Sequence, residues 1–482
     1  MPNSRRSFHK NETIGDMLHA DYGKEYFMKK KVIAMLLTFG MLVSALAGCG
    51  GQSAAVVEDN SSEAAAEDTA PAENEEAGSE EEVTLTIWDW DEAHLTHMTE
   101  WYHEKHPNVK FETLVVAASD YMQKLQSALA SGSGVPDIIL GEMQYRGNLF
   151  SLGVTEDLSK APYNLDRSEL FDFAVALESG PNGELYGVEQ QICPSGFAYR
   201  RDLAKEYLGT DDPNEIAAMI SDWDKLFEVS GQVAEKSRGK VTALPGISVL
   251  MMEILYDQNT SNYIDGDAIN LSERYKEMLE IATKFNEAGV LGKQEMETPA
   301  VNAGIAAGEF IFYPAAPWSC KWMIATNDPE GSGNWGLTKA PGEGFTRGGT
   351  SVSIYSDSPH KDIAWDYVKE VYCDGEGVEE AFKQFGFMTG FKAPYENPDS
   401  YYFTEKGQYD EFFGGQKLAD YFINEIAVST VGQTQTKNET YVKSAMGAVA
   451  SQMAANPSMN AEEAMELLKS ETQTLIPSAS LQ

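Results

Sequence analysis

VTLTIWDWDEAHLTHMTEWYHEKHPNVKFETLVVAASDYMQKLQSALASGSGVPDIILG, residues 83–141, decides the fold. Its apolar residues change period element by element. Val83, Leu85 and Ile87 alternate with Thr84 and Thr86, the period of a strand, and the pattern breaks at Asp89 and Asp91. EAHLTHMTEWYHEKH then sets Leu95, Met98 and Tyr102 at helical spacing, and Pro107-Asn108 ends it. NVKFETLVV returns to a strand. SDYMQKLQSALASG predicts a helix with Ser119 as its N-cap and Gly132 near its end. PDIILG is a short apolar strand behind a proline, as buried parallel sheets require. A β-α-β-α-β run with short loops predicts an open, doubly wound α/β sheet.

Later segments continue the alternation. NYIDGDAINL reads as a hairpin turning at Asp265-Gly266, and SERYKEMLEIATKFNEAGVL as an amphipathic helix ended by Gly289. KDIAWDYVKEVY predicts a helix with Ile363, Trp365, Val368 and Tyr372 toward one side. From Asp410 to Leu475 the pattern is mostly helical, most clearly in AEEAMELLKSETQTL. No short-period repeat interrupts it.

The chain has 482 residues, enough for two or three domains, and a formal net charge of −39. Such a surface repels phosphate backbones and acidic headgroups, so nucleic acid is not an expected partner and charge does not bring the chain to a membrane. The front end supplies another route. Lys29-Lys30-Lys31 precede Val32 to Ala47, which is apolar except for Thr38, Gly40 and Ser44. That run is short of the roughly 20 residues of a spanning helix and suits a signal-peptide core. LAGC, residues 46–49, resembles a bacterial lipobox. The resemblance implies cleavage before Cys49, attachment of diacylglycerol to its sulfur, and acylation of the new amine. Met28 is therefore the expected start, with 1–27 an extension that fits no targeting pattern and 28–48 the signal peptide. Residues 49–82 are read as the lipidated cysteine and an acidic, disordered tether, since they lack Lys, Arg and aromatic residues. A long spacer suits a Gram-positive surface; in a Gram-negative cell the same protein would be periplasmic. Cys193, Cys320 and Cys373 form no CxxC pair, which argues against structural zinc. Buried free thiols are the simpler expectation, one disulfide with a thiol left over the alternative.

Open α/β sheets bind ligands at the carboxyl ends of their strands. Three such places are Trp88-Asp89-Trp90-Asp91, Gly141-Glu142-Met143-Gln144-Tyr145 and the loop at Gly348-Gly349. Aromatic rings stack on the apolar face of a pyranose while carboxylates and amides take its hydroxyls, so this mixture suits sugars.

Six further stretches then fall in a recognisable order. They are EKHPNVKFE, YMQKLQSALASGSGVPDII, GELYGVEQQICPSGFAYRRDLAKEYLG, AAGEFIFYPAAPWSC, WGLTKAPG and RGGTSVSIYSDSPHKDIAWDYVKEVY. With VTLTIWDWDE before them and a lipobox in front, the chain over 83–475 resembles the extracellular solute-binding lipoproteins of bacterial carbohydrate ABC transporters, the family of maltose-binding protein. The resemblance implies two doubly wound α/β lobes joined by hinge crossovers, the class II periplasmic-binding-protein plan, with ligand between them. Lobe one is expected over 83–192 plus 350–395, lobe two over 193–349 plus 396–476, and 477–482 as a tail. The hinge is expected near Gln191–Pro194 and Gly348–Thr350. The family's ligand positions fall on Trp90, Asp91, Glu92, Glu142, Tyr145, Gln191, Trp318, Gly348, Gly349 and Tyr441. Gln191 stands where relatives often carry aspartate, and Ala316-Pro317 replace the usual glycine pattern before Trp318. Trp322, four residues on, reads as core by helical spacing, and Trp335 as core at a strand start.

The expected function is capture of a sugar or oligosaccharide by a monomer on the outer face of the membrane, with delivery to permease subunits. No catalysis, cofactor or metal is expected. The rival readings are a peptide, polyamine or metal carrier, and a surface glycosidase built on acids such as Asp89 and Asp91. Acidic pairs are expected by chance among 75 Asp and Glu residues. The metal reading rests on His94, His97, His103 and His106, four of seven histidines, on what reads as a solvated helix. Phosphate is disfavoured because the candidate loops carry carboxylates, Arg146 and Arg347 being nearby exceptions.

Overall fold

The strands that the opening stretch predicts form in order. In a computed structural model, which describes residues 82–258, 263–265 and 268–482, β1 (Val83–Asp89), β2 (Val109–Val115) and β3 (Ile138–Glu142) are parallel neighbours. The expectations for the signal peptide, Cys49, residues 1–81 generally and Gly266 fall outside the described residues. Helix Glu92–Lys105 links β1 to β2, and helix Ala118–Ser131 links β2 to β3. The second helix begins one residue before Ser119. Its N-cap is Ala117, without a side-chain cap, and Ser119 Oγ turns instead to Asp120; Gly132 closes the helix at φ 66° as expected. Both faces of β1 are covered: Leu85 and Ile87 are buried on one side, and Trp88 packs edge-on against Tyr121 on the other.

The first sheet has the order β2-β1-β3-β11-β4, with β4 at Val188–Glu189 and β11 at Thr350–Ile354. The second is centred on β5 (Pro194–Arg200), flanked on one side by β8 (Phe312–Ala315) and on the other by β9 (Trp335–Thr338) and β10 (Phe345–Thr346). Two crossings join the sheets, β4 to β5 through 190–193 and β10 to β11 through 347–349. Both arriving strands run antiparallel to their neighbours in the new sheet: β11 against β3 and β4, β5 against β8, β9 and β10. A strand that enters from the other lobe comes from the opposite end, which reverses its direction. The crossings touch, with Gln190 N donating to Thr350 O at 2.8 Å and Arg347 N to Cys193 O at 3.2 Å.

A small third sheet orders β12 (Ser480–Leu481), β7 (Ala268–Ile269) and β6 (Ile264–Asp265), of which β6 and β7 are the expected hairpin. Helix Leu271–Glu287 follows, and Ala461–Leu475 is capped by Asn460 and Glu463 in a reciprocal box. Separate apolar cores fill the two lobes, and a third joins helix Asp172–Glu178 to β8, β9 and the helical stretch 418–427. Trp335 is buried in that third core, as expected, and its indole donates to Asp328. Cys193, Cys320 and Cys373 are buried and unpaired. Among the described residues no helix is long and apolar enough to cross a membrane.

Candidate functional site

In the order β2-β1-β3 the chain leaves β1 in both directions, so the loops after β1 and β3 diverge and open a crevice. Trp90, Asp91, Glu92 and Glu142 stand at its edge. The crossing strands form its floor with Gln190, Gln191, Gly348 and Gly349, and β8 runs out toward it and delivers Trp318. Together these residues line one cavity of about 970 Å³ between the two sheets.

The second-lobe wall is organised by Arg347. The Trp318 indole N–H donates to Arg347 O at 2.8 Å, and the guanidinium lies 4.6 Å from the centre of the Trp318 ring. That guanidinium also donates to Ser319 Oγ at 2.9 Å and pairs with buried Glu253 at 2.7 Å. Trp318 is thereby fixed to the hinge turn by its edge and by one face. Trp322 corrects its expectation as core: it is 53% exposed and lines the same cavity. Four residues apart on one helical stretch, Trp322 shares the face of Trp318, and that face is the cavity rather than the core.

The first-lobe wall is partly structural. Asp91 caps helix Glu92–Lys105, its side chain accepting from Ala93 N and His94 N. Beneath it, buried Asp89 accepts from Asp91 N at 3.0 Å and from Gln190 Nε2 at 3.1 Å, and meets His94 Nδ1 at 3.2 Å. This net ties the loop after β1 to the first crossing. Glu142 accepts from Gln144 N at 2.7 Å, and burial pushes its carboxyl above the usual range.

Eight of the ten expected positions lie on this cavity: Trp90, Asp91, Glu92, Glu142, Gln191, Trp318, Gly348 and Gly349. Tyr145 and Tyr441 do not line it. Tyr145 stacks on Tyr121 under the β3 loop. Tyr441 is 45% exposed on helix Glu439–Ala455, where Glu439 turns inward to Tyr256 and Tyr263 and Thr440 to Gln144. Sequence reasoning missed a third set of lining residues, Phe382, Phe385, Phe387, Gln408, Tyr409 and Phe422. The aromatic density of QFGFM, residues 384–388, and of Gly407–Gly415 was the available signal. The four clustered histidines each have their own partner: Asp89 for His94, Glu380 for His97, Val109 O for His103 and Glu370 for His106. Among the described residues no three His, Cys, Asp or Glu side chains converge as a metal site would.

The profile of the bacterial extracellular solute-binding protein family matches residues 97–406. The chain belongs to that family. A curated relative, the lactose-binding protein of Rhizobium radiobacter, is 26% identical over 373 residues, covering 72% of this chain and 83% of the relative. The arabinooligosaccharide-binding protein of Bacillus subtilis (strain 168) is 24% identical over 411 residues, covering 80% and 86%. Among solved structures, the sugar-binding protein MalE of Xanthomonas citri superposes with a TM-score of 0.67 at 16% identity, covering 82% of this chain and 97% of that one. At that identity the likeness establishes the shared fold.

In this solute-binding protein the hinge turn sits on buried charge. Gly349 has φ 132°, and a Cβ there would lie 3.0 Å from Glu189 Oε2. Glu189 pairs with fully buried Arg146 at 2.6 Å, which also reaches Glu178 at 3.4 Å. Gly349→Ala is expected to lower stability by about 1–3 kcal/mol through strained backbone and displaced Glu189. Urea unfolding checks this, and an unchanged midpoint would show that the turn relaxes freely.

Proposed function

We propose that this chain captures a sugar or oligosaccharide outside the cell and hands it to an ABC permease by closing its two lobes about the crossings. The observation that carries the reading is the cavity of about 970 Å³ between two sheets, with Trp318 pinned at its hinge end and Trp322 further along the same wall. Its size is near the top of the roughly 300–1,000 Å³ span of small-molecule pockets, which favours an oligosaccharide over one ring. Both curated relatives are named for sugars, which supports the same class.

Ligand docks on one wall and rotation at 190–193 and 347–349 brings the other onto it. The ligand's extra contacts in the closed form shift the open–closed balance, and no bond is made or broken. The closed pair of lobe surfaces is what the permease reads. Lobe one is assigned 83–192 plus 350–395 and lobe two 193–349 plus 396–476, with the eight candidate positions that line the cavity as ligand residues. The protein acts as a monomer, held outside the membrane by lipid on Cys49, whose LAGC context supports the anchor. The acidic spacer favours a Gram-positive surface.

Thermal-shift measurement against lactose, arabinooligosaccharides and maltooligosaccharides tests the reading. One sugar at about 100 times its Kd should stabilise the fold by ~2.7 kcal/mol. Silence across the sugars with a response to a peptide or polyamine would transfer the function to a different ligand class.

A further inference from the structure

The charge of the cleft selects among sugars. Asp91, Glu92, Glu100, Glu142 and Asp410 line the cavity, and Lys321 is the one lysine or arginine among the lining residues. Lys321 sits 4.4 Å from the centre of the Trp322 ring. The two arginines near the floor do not offset the acids. Arg146 is fully buried and paired with Glu189 and Glu178, and Arg347 is held behind Trp318 by Glu253. His97 is taken by Glu380 at 2.7 Å. Burial pushes the Glu142 carboxyl up, and Asp410 is buried, accepts from Leu418 N at 3.1 Å and lies 3.8 Å from Lys417 Nζ; that leaves Asp91, Glu92 and Glu100 facing one ammonium. The net charge of −39 adds a repulsive field outside.

We infer that the cleft accepts neutral and amino sugars and rejects uronates and phosphorylated sugars. The inference rests on the sugar reading above and adds its charge class. Neutral hydroxyls donate to carboxylates in charge-assisted bonds, whereas an anionic ring brings a like charge to a space lined by carboxylates, where the nearby guanidiniums of Arg146 and Arg347 are already paired. Discrimination therefore comes from repulsion as much as from fit.

Calorimetry on the purified chain tests this with matched pairs. The probes are galactobiose against digalacturonate, cellobiose and maltose against their terminally phosphorylated forms, chitosan disaccharide for amino sugars, and spermidine as a bare cation. The neutral member of a binding pair is expected to bind at least about 30-fold tighter than its anionic counterpart in 20 mM salt, with the ratio shrinking in 300 mM salt. The amino sugar should bind no worse than its neutral analogue. The exposed pair Glu92→Gln with Glu100→Gln should narrow the ratio severalfold. Anionic sugars binding within threefold of neutral ones, or tighter, overturns the charge class and leaves the sugar reading standing. Spermidine binding alone, or no response from any sugar, removes the sugar reading and this inference with it.

Discussion

Trp318→Ala is expected to weaken binding of the cognate sugar by about 1–3 kcal/mol, roughly 5- to 150-fold, while leaving the fold intact. Its ring is the best-anchored aromatic on the cavity, held by Arg347 O at its edge and by the Arg347 guanidinium on one face. An anchored ring has lost its rotamer freedom before the ligand arrives, so stacking on it costs little further ordering. Truncation frees a carbonyl and a guanidinium at the rim of a solvent-reached cavity, where water replaces the lost partner; the melting temperature should move little. The variant carries a second signature. With the ring gone, Arg347 faces the cavity, and anionic sugars should lose less affinity than neutral ones or gain some. Titration calorimetry with paired melting curves reads both. An affinity within twofold of the parent removes Trp318 from the site.

Trp322→Ala is the useful contrast, since that ring is 53% exposed and stacked only under Lys321. It shares the face of Trp318 four residues earlier, and periodicity on CKWMIA cannot tell whether that face meets a core or a cavity. The same limit recurs elsewhere. Elements set by local pattern were legible: Val83, Leu85 and Ile87 announced β1, and the glycine at 132 announced the end of helix Ala118–Ser131. The hinge glycines were legible too, because φ 73° at Gly348 and 132° at Gly349 are conformations that glycine serves best. Strand direction was not, since it is the crossings between the sheets that make β5 and β11 antiparallel to their neighbours. Phe387 and Tyr409 reach the cavity from irregular segments, so only tertiary packing puts them there, and Phe385 from the last turn of helix Glu376–Phe385. Ser119 failed as a cap because the helix begins a residue earlier than its composition suggests. The partners of Arg146 were invisible because Glu178 and Glu189 are 32 and 43 residues away in sequence.

Those partners give the largest stability effect. Arg146→Met is expected to destabilise the protein by about 3–5 kcal/mol, the cost of leaving buried carboxylates without their cation, with a melting temperature lower by on the order of 10 °C. Arg146, Glu178 and Glu189 are all essentially inaccessible to water, and Ser351 Oγ adds a hydrogen bond to Glu178 at 2.5 Å. Two carboxylates share one guanidinium. Burial pushes the Glu178 carboxyl from an ordinary 4.5 up to about 8; Arg146 pulls it down and Glu189 pushes it up. The folded state therefore holds this proton more tightly than the unfolded chain. Its contribution to stability is full below about pH 4.5 and is lost as the pH rises through about 8. Glu178→Gln should flatten that part of the stability profile. In Arg146→Met the pull is gone and both carboxylates need protons to stay buried, so the destabilisation should be larger at pH 8 than at pH 5.5. Adding Glu178→Gln to Arg146→Met should recover part of the loss, because one of the two uncompensated acids is gone. Urea unfolding of the three variants at both pH values measures each step. An Arg146→Met variant as stable as its parent at pH 8 would mean that water reaches the cluster and that the buried charges beneath Gly349 are not held by Arg146.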